Sequence, residues 1–543
     1  MAMLIVFSLV GLRLVQLQAH DGARYHRLGL DQRVRTVTLA ADRGSIFDRN
    51  GKDLALSISR SSIWADPKLI DDPIAAANQL APLVGVDAFT LAERFSEPGA
   101  RFVYVARQVE PEVERQVKAL DLDGIGYVPE SKRYYPASPL AAPLLGWVGL
   151  DNNGLGGLEF GAESVLAGRP GRMTVEQDAV GRNLPDGERH VQAAERGADL
   201  VLTIDESLQF ETERALAEEV TLAGAKGGIA VIADTRTGDI LAMVSVDGAT
   251  DAAPAHAAYA STPNRPLTDV FEPGSTAKVV TIAAALEAGI VAPSTVLQVP
   301  GSIVVDGEEF ADVKSHPAAM TVADIVRESS NVGTILIARA LGAERFDAAL
   351  RSFGFGAPTG LEFPGEAEGI LLPLESYNAT SLASMPIGSG IAVTAMQMLD
   401  VYLTIANDGV ARTPRLIAAT IDADGERHET PLGSTRQVVS AQTAQAMRTM
   451  LAGVVSGGTG TKAQIVGYQV AGKTGTARKP PYDEPPYRYV ASFAGFAPAE
   501  SPRLAAIVVL DEPTNSYSGG QVAAPVFARI MQHALAVERV PAS

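Results

Sequence analysis

Residues 271–278 read FEPGSTAK, and residues 279–289 continue as VVTIAAALEAG. Ser275 and Lys278 stand three positions apart, so on a helix their side chains lie on one face, about one turn apart. The run after Lys278 is apolar nearly all round, which predicts a buried helix that Gly289 ends. Desolvation in such a setting lets a lysine act as a neutral base for a serine hydroxyl. The helix N-terminus adds backbone N–H groups where an oxyanion would develop.

A serine and a lysine at this spacing need support from elsewhere in the chain. Their frequencies give about one S-x-x-K by chance in a sequence of this composition. Taken alone, Ser275 could equally cap the helix, and Lys278 could be a solvated surface residue. Two further motifs provide the support.

The first of these motifs is Ser329-Ser330-Asn331, in which Ser330 follows Ser275 by 55 residues. It separates two helix-like runs, at 323–328 and 332–341. A hydroxyl and an amide at a helix junction can relay a proton and bind a peptide group, which makes Ser330 and Asn331 candidate site residues. The alternative is that the motif only caps a helix.

The second motif is Lys473-Thr474-Gly475-Thr476, inside a predicted strand. A glycine in a strand marks close approach of the backbone to a ligand, and a lysine with two hydroxyls can bind a carboxylate. A turn in a surface strand is the alternative. In this order, the three motifs match the S-x-x-K, S-x-N and K-T-G set of β-lactamases and penicillin-binding proteins. No serine has glycines at both −2 and +2, which argues against the other common serine-hydrolase motif.

Composition narrows the possible functions further. The 543 residues should form at least two domains. The chain has no cysteine, which excludes disulfides, thiolate metal sites and a cysteine nucleophile. Its seven histidines are scattered, so we expect neither a metal nor a cofactor. The net charge of −18 argues against a nucleic-acid partner.

The first twelve residues, MAMLIVFSLVGL, are apolar and uncharged. A membrane-spanning helix needs ~20 apolar residues, so this stretch is too short unless the side chain of Arg13 extends to the membrane–water interface. The alternative is a cleaved signal peptide. However, no basic segment precedes the apolar run, and no small-x-small cleavage site follows it. We therefore predict an uncleaved anchor at residues 1–18 and a single-pass protein of the cell membrane, with the remainder outside the cytoplasm.

The remaining pattern predicts an α+β protein with a boundary near residues 192–199. Before it, 34–39 alternates like a strand, Asn50-Gly51 signals a hairpin, and 72–120 looks helical. After this boundary, strands are predicted near the beginning and the end of the second half, with helix-rich sequence between them. This order implies an antiparallel sheet completed by both ends of the domain. The predicted strands and final helix are 228–233, 239–245, 490–496, 504–510 and 523–537.

The chain resembles the class B penicillin-binding proteins, and most of all their cell-division (FtsI-like) branch, from about residue 13 to 527. Besides the three motifs, the similar stretches are RGSIFDRNG (43–51), KRYYP (132–136), LGWVG (145–149), GLGGLE (154–159), LTID (202–205), IANDG (405–409) and GGTGTKA (457–463). The resemblance implies an elongated, mixed α/β pedestal domain of the dimerisation type at 19–195. A transpeptidase domain would follow at 196–540.

The resemblance also implies a role for each matching residue. Ser275 would be the acylated nucleophile and Lys278 its base, while Ser330 and Asn331 would assist proton transfer and hold the donor peptide. The substrate carboxylate would be bound by Lys473, Thr474, Gly475 and Thr476. Backbone N–H groups of Ser275 and Thr476 would form the oxyanion hole. A structural or docking role in the pedestal would fall to Arg43, Gly44, Asp48, Arg49 and Gly51.

The implied activity is a serine-type D,D-transpeptidase that cross-links peptidoglycan stem peptides ending in D-Ala-D-Ala and is acylated by β-lactams. The implied partners are a membrane glycosyltransferase of the FtsW/RodA type and other division proteins. Three alternatives stay open: an elongation-type class B enzyme, a D,D-carboxypeptidase or β-lactamase, and a non-catalytic sensor or scaffold. A hydrolase needs a group that activates water, and the carboxylate beside the first motif, Glu272, is explained by a capping role.

Overall fold

The computed structural model describes residues 2–17, 34–176, 189–248 and 263–542. The first half contains a three-stranded antiparallel sheet of order β1-β6-β7 and part of a seven-stranded sheet. Its strands are β1 (Val34–Leu39), β2 (Ile46–Phe47), β3 (Asp53–Ala65), β4 (Val103–Val109), β5 (Ile125–Tyr134), β6 (Gly171–Glu176) and β7 (Arg189–Gln192). Its helices are Ala2–Val15, Pro73–Val84, Ala88–Phe95, Pro111–Lys118, Ala142–Leu145, Gly157–Gly161 and Glu163–Leu166.

The predicted hairpin at Asn50-Gly51 is confirmed, because β2 and β3 pair antiparallel across it. Gly51 has a φ of +82°, in the left-handed region that glycine tolerates. The region 72–120 is helical as predicted except at β4, which pairs with β3. Strand β4 was not predicted from the local sequence pattern, because its partner β3 lies some forty residues earlier in the chain.

The second half opens on β8 and ends on a long helix. Its strands are β8 (Asp199–Leu202), β9 (Gly227–Asp234), β10 (Ile240–Asp247), β11 (Val296–Gln298), β12 (Ser302–Val305), β13 (Glu308–Ala311), β14 (Ala319–Thr321), β15 (Val410–Arg412), β16 (Ile417–Ile421), β17 (Arg427–Glu429), β18 (Thr435–Gln437), β19 (Ala471–Arg478), β20 (Tyr489–Ala497) and β21 (Leu504–Asp511). Its helices are Glu206–Ala223, Arg265–Thr268, Lys278–Glu287, Val322–Glu328, Asn331–Leu341, Ala343–Ser352, Ser381–Ser384, Ala395–Ala406, Ala441–Gly457 and Gly519–Val537.

The central sheet of the second half has the order β10-β9-β21-β20-β19 and is antiparallel throughout. The prediction of a sheet completed by both ends of the domain is therefore confirmed. Both faces of this sheet are covered. Along β9, Ile229 and Val231 pack into the core that contains helix 278–287, whereas Ala230 and Ile232 pack into the core that contains helix 519–537. Burial on both faces explains why these strands read as continuous apolar runs.

Strand β8 joins the two halves. It pairs parallel with β2 and antiparallel with β16, within the sheet of order β17-β16-β8-β2-β3-β4. Gly44 is required there, because a Cβ at this position would lie 1.9 Å from the carbonyl oxygen of Ala198. The sheet therefore crosses the predicted boundary, and the two halves share backbone hydrogen bonds.

A buried charge network lies beneath this junction. The guanidinium of Arg43, only 1% exposed, contacts Glu159 at 2.6 Å, and Arg133 contacts the other oxygen of Glu159 at 2.7 Å. Nearby, Asp48 accepts backbone hydrogen bonds from the turn residues Asn50 and Lys52. Arg43 and Asp48 therefore make buried contacts within the fold. Further links across the halves are Asp48 to the N–H of Glu206, Asn50 to Asp205, and Arg49 to Glu538.

The predicted anchor at residues 1–18 contains a helix over Ala2–Val15 with largely exposed apolar side chains. Across the parts of the chain that the structure describes, no helix combines the length and apolar character needed to cross a membrane. Residue 1 and residues 18–33 lie outside the described ranges.

Candidate active site

The nucleophile motif sits on a tight turn rather than inside an α-helix. Residues Gly274–Ala277 form a 3₁₀ turn, and the α-helix begins at Lys278 and ends at Glu287. Residues i and i+3 eclipse one another in a 3₁₀ turn, so Ser275 and Lys278 still share a face, as predicted. Ser275 is half-buried in the cleft wall, whereas Lys278 is only 3% exposed.

Lys278 donates to the carbonyl oxygen of Ser329 at 2.7 Å and to Oδ1 of Asn331 at 2.7 Å. Burial lowers the pKa of Lys278 well below its ordinary value, and the nearby charge of Lys473 lowers it further, against a smaller opposing effect of Asp312. The predicted neutral lysine is therefore physically reasonable. Within the described residues, no hydrogen bond joins Lys278 to Ser275; such bonds often tighten only when substrate is present.

The second motif requires a correction. The hydroxyl that meets the lysines belongs to Ser329, whose Oγ lies 2.9 Å from Nζ of Lys473 and 3.3 Å from Nζ of Lys278. Ser330 instead caps helix Asn331–Leu341, where its Oγ accepts from the N–H of Gly333 at 2.9 Å. The helix-cap interpretation thus applies to Ser330. The S-x-N spacing contained the signal, since Ser329 stands two positions before Asn331.

Asp312 organises this motif, and sequence reasoning missed it. Its carboxylate accepts from the hydroxyl of Ser330 at 2.7 Å and from the backbone N–H groups of Asn331 and Val332. A carboxylate at a helix N-terminus accepts hydrogen bonds from the free N–H groups there, and its negative charge interacts favourably with the positive end of the helix dipole. The ring of His316 lies 2.8 Å from the same carboxylate. Asp312 precedes Asn331 by nineteen residues, so no local pattern links the two.

The third motif lies on edge strand β19. Lys473 is 1% exposed and donates to Ser329, and burial lowers its pKa to about 7. The hydroxyls of Thr474 and Thr459 lie 2.8 Å apart, and Thr476 is exposed to the cleft. At Gly475 a Cβ would lie 2.3 Å from Oγ of Ser492 on β20 and 2.9 Å from the carbonyl oxygen of Pro273. This glycine therefore permits close approach both to the neighbouring strand and to the backbone of the nucleophile turn.

The three motifs meet in one cleft of about 1260 Å³. The cleft is lined by Ser275, Ser329, Asn331, Thr474 and Thr476, with Lys278 and Lys473 buried behind this surface. The rings of Tyr489 and Tyr517 stack at 4.4 Å along one side. A peptide in the cleft can therefore contact the hydroxyls of Ser275, Thr474 and Thr476 at the same time, with the two lysines directly behind them.

A possible metal-ligand cluster lies elsewhere. Asp422, Glu426 and His428 lie together on the hairpin of β16 and β17. Two of the three are exposed, and none lines the cleft. They take no part in the site described here.

Comparison with known proteins identifies this arrangement. The family model of the penicillin-binding protein transpeptidase domain matches residues 228–532 of the sequence, which is more than half of the chain. The chain belongs to the penicillin-binding transpeptidases. The model of the penicillin-binding protein dimerisation domain matches residues 38–202.

Relatives support the class B assignment. The chain is 35% identical to penicillin-binding protein PbpB of Mycobacterium tuberculosis, over 100% of this chain and 85% of that protein. It is 35% identical to peptidoglycan D,D-transpeptidase FtsI of Escherichia coli, over 92% of this chain and 84% of that protein. The predicted class B family and the D,D-transpeptidase activity are thereby confirmed.

Solved structures show the same two-domain fold. A peptidoglycan synthetase from Bifidobacterium adolescentis superimposes with a TM-score of 0.77 at 29% identity, covering 94% of this chain and 98% of that one. Penicillin-binding protein 3 from Mycobacterium tuberculosis, complexed with aztreonam, has a TM-score of 0.72 at 33% identity, covering 93% and 98%.

Proposed function

We propose that this penicillin-binding transpeptidase cross-links stem peptides of the septal wall through an acyl-Ser275 intermediate, and that β-lactams acylate the same serine. The observation that carries the proposal is the desolvated Lys278, held by Ser329 and Asn331 on the same face as Ser275. A serine hydroxyl is a weak nucleophile until a neighbouring base accepts its proton.

Acylation begins with attack of Ser275 Oγ on the carbonyl carbon of the penultimate D-Ala. Lys278 accepts the hydroxyl proton, and the N–H groups of Ser275 and Thr476 stabilise the oxyanion. The terminal D-Ala leaves as its amine gains a proton. Ser329 relays that proton, because its hydroxyl lies within hydrogen-bond distance of both lysines.

The carboxylate of the donor peptide is held at β19. A pKa of about 7 for Lys473 means that this group is readily protonated at neutral pH, and a bound carboxylate favours the charged form further. Thr474 and Thr476 add hydroxyl donors on the cleft surface. The two lysines therefore have different roles: Lys278 is the neutral base, and Lys473, behind the cleft surface, supplies the positive charge that attracts the carboxylate.

Deacylation by an acceptor amine completes the cross-link. The amine nitrogen bonds to the acyl carbon, the ester bond to Ser275 breaks, and the surplus amine proton returns to Ser275 Oγ through Lys278. Oε1 of Glu272 accepts hydrogen bonds from the N–H of Gly390 at 2.8 Å and from the hydroxyl of Tyr482 at 2.9 Å, and Glu272 does not line the catalytic cleft. A carboxylate outside the cleft is poorly placed to activate water at the acyl-serine, which favours transfer over hydrolysis.

We further propose a cellular setting on the basis of the resemblance to the cell-division branch of the family. We assign residues 1–18 to a single-pass anchor, 19–195 to the pedestal and 196–540 to the transpeptidase domain, with the catalytic cleft outside the cytoplasm. A glycosyltransferase of the FtsW/RodA type and other division proteins are the proposed partners, since glycan strands must be polymerised before they are cross-linked. An elongation-type role is the second candidate.

The test uses the full-length protein in detergent with a pentapeptide thioester or a lipid-linked donor. We expect D-Ala release to accelerate when an amine acceptor is added, and a penicilloyl adduct to persist over many acylation half-times. Rapid penicillin turnover, or D-Ala release that is indifferent to acceptor, would instead identify a hydrolase.

A further inference from the structure

A buried contact between a histidine and a carboxylate lies beside the second catalytic motif. Nε2 of His316 lies 2.8 Å from Oδ2 of Asp312, and the two side chains are only 7% and 4% exposed. The same carboxylate accepts from the hydroxyl of Ser330 and from the backbone N–H groups of Asn331 and Val332. His316 is therefore one step removed from the motif, with Asp312 between them.

The hydrogen-bond partners of His316 define the protonation state of its ring. Nδ1 lies 2.8 Å from the carbonyl oxygen of Pro317, which can only accept a hydrogen bond. Nε2 faces the carboxylate of Asp312, whose three other hydrogen bonds all come from donors. Both contacts of the ring are hydrogen bonds only when both ring nitrogens carry a proton. A ring with two N–H groups is a cation.

The surroundings of the ring favour its charged form. The hydrogen bond to Pro317 raises the pKa of His316 above its ordinary value; burial opposes this shift, whereas Asp312 and the charge of Glu328 support it. The other charged side chains that the structure places along the cleft surface are Lys314, Asp324, Arg327 and Glu328. Both acids of helix 322–328 pair with Arg327 of the same helix, at 2.8 and 3.0 Å. Asp312 is therefore the carboxylate that hydrogen-bonds the ring.

Asn331 connects Asp312 to the catalytic lysine. The backbone N–H of Asn331 donates to Asp312, and its Oδ1 accepts from Nζ of Lys278 at 2.7 Å. Nδ2 of the same side chain donates to the carbonyl oxygen of Ala311, the residue before Asp312, at 3.0 Å. The loop that contains Asp312 thus holds Asn331 both by its backbone and by its side chain. Movement of this loop would move Oδ1 relative to Nζ of Lys278.

We propose that His316 is a positioning residue for transpeptidation, whose charged ring holds Asp312 against the turn of Asn331 and so keeps Asn331 on the catalytic lysine. The ring also balances the negative charge of Asp312, which by itself raises the pKa of Lys278 and favours its protonated form. Loss of the ring charge leaves less neutral Lys278 to accept the proton of Ser275. The inference rests on the proposed function and makes its first step depend on the charge of His316.

The test compares acylation of the full-length wild type and of His316→Gln by a fluorescent penicillin, from about pH 6 to about pH 9. Glutamine imitates the neutral ring, since it keeps an N–H donor and lacks the charge. We expect His316→Gln to react about tenfold more slowly near pH 6, the factor that one hydrogen bond to a charged group is worth. The ratio of the two rate constants should fall toward one as the pH rises and the wild-type ring loses its charge. Lys473 titrates in both proteins, so its effect cancels in this ratio.

Two further variants separate the charge of the ring from its shape. His316→Lys keeps a cation beside Asp312 that does not titrate in this range, so it should lose less rate near pH 6 than His316→Gln does. If His316→Gln does not fold, the ratio of wild type to His316→Lys should still fall with rising pH, because only the wild-type ring titrates. His428→Gln is the matched control. His428 lies 3.1 Å from Asp422 on the exposed hairpin of β16 and β17, outside the cleft, and its replacement should leave the rate unchanged at every pH.

Asp312→Asn provides a second background for the same replacement. With the carboxylate removed, His316→Gln should change the acylation rate by less than about twofold, because the two residues act as one unit. A ratio of wild type to His316→Gln that stays constant with pH would overturn the proposal, as would losses that multiply in the double variant. A merely structural role predicts both results. Failure of the proposed function looks different, because Ser275 of the wild type would form no acyl-enzyme at any pH.

Discussion

Replacing Ser329 and Ser330 one at a time separates catalysis from helix capping. Ser329 Oγ is the hydroxyl shared by Lys473, at 2.9 Å, and Lys278, at 3.3 Å. Ser329→Ala removes the proton relay between them. Loss of a general acid–base group typically costs ~10²–10⁴ in rate, which is about 3–5 kcal/mol of transition-state stabilisation. We expect the second-order rate constant for acylation by a fluorescent penicillin to fall in that range.

Ser330→Ala is the matched control. It removes the cap on helix Asn331–Leu341 and one hydrogen bond to Asp312. Loss of a serine cap costs about 0.5–2 kcal/mol of stability, visible as a lower midpoint of thermal unfolding. The rate loss should be much smaller than that of Ser329→Ala. If Ser330→Ala lost the larger share of acylation at unchanged stability, the assignment of the relay to Ser329 would be wrong.

Three further outcomes follow from burial and charge. The acylation rate should fall as pH decreases, because protonation of Lys278 removes the base. The inflection of the pH–rate profile should lie well below the ordinary lysine pKa of 10.5. A profile that is flat from pH 5 to 9 would contradict this. Between about 7 and 10.5 the unfolded state binds more protons at Lys473 than the folded state does, so this group makes the free energy of unfolding rise with pH. Denaturant titrations should show a shallower rise in Lys473→Met than in the wild type, and equal slopes would refute the shifted pKa. Arg43→Ala leaves the buried Glu159 without one of its cations and should lower the free energy of unfolding by about 3–5 kcal/mol. Arg49→Ala removes the more exposed Arg49–Glu538 pair and should cost about 0–1 kcal/mol. Similar unfolding midpoints for both variants would contradict the buried network.

The central sheet was predictable from sequence because its strands are buried on both faces. Apolar runs such as 228–233 and 504–510 contain enough signal by themselves to mark β9 and β21. Strands β11 to β14 were not predicted. They are three or four residues long and largely exposed, so neither burial nor alternation distinguishes them from a loop.

The catalytic motifs were predictable because each one is local, whereas the contacts between them are not. Ser329 and Ser330 are adjacent residues of the same type. Only the left-handed backbone at Ser329, with a φ of +63°, decides which hydroxyl faces the lysines. The role of Asp312 depends on the path of the chain between helices 278–287 and 331–341, which no short pattern encodes.

The most direct test of the account is to locate the covalent adduct. The full-length protein is incubated with a penicillin, digested, and mapped by mass spectrometry, with Ser275→Ala treated in parallel. We predict one penicilloyl group per chain, attached to Ser275, and no adduct on the variant. An adduct on any other residue, or labelling of Ser275→Ala at the wild-type rate, would contradict the assignment of the nucleophile.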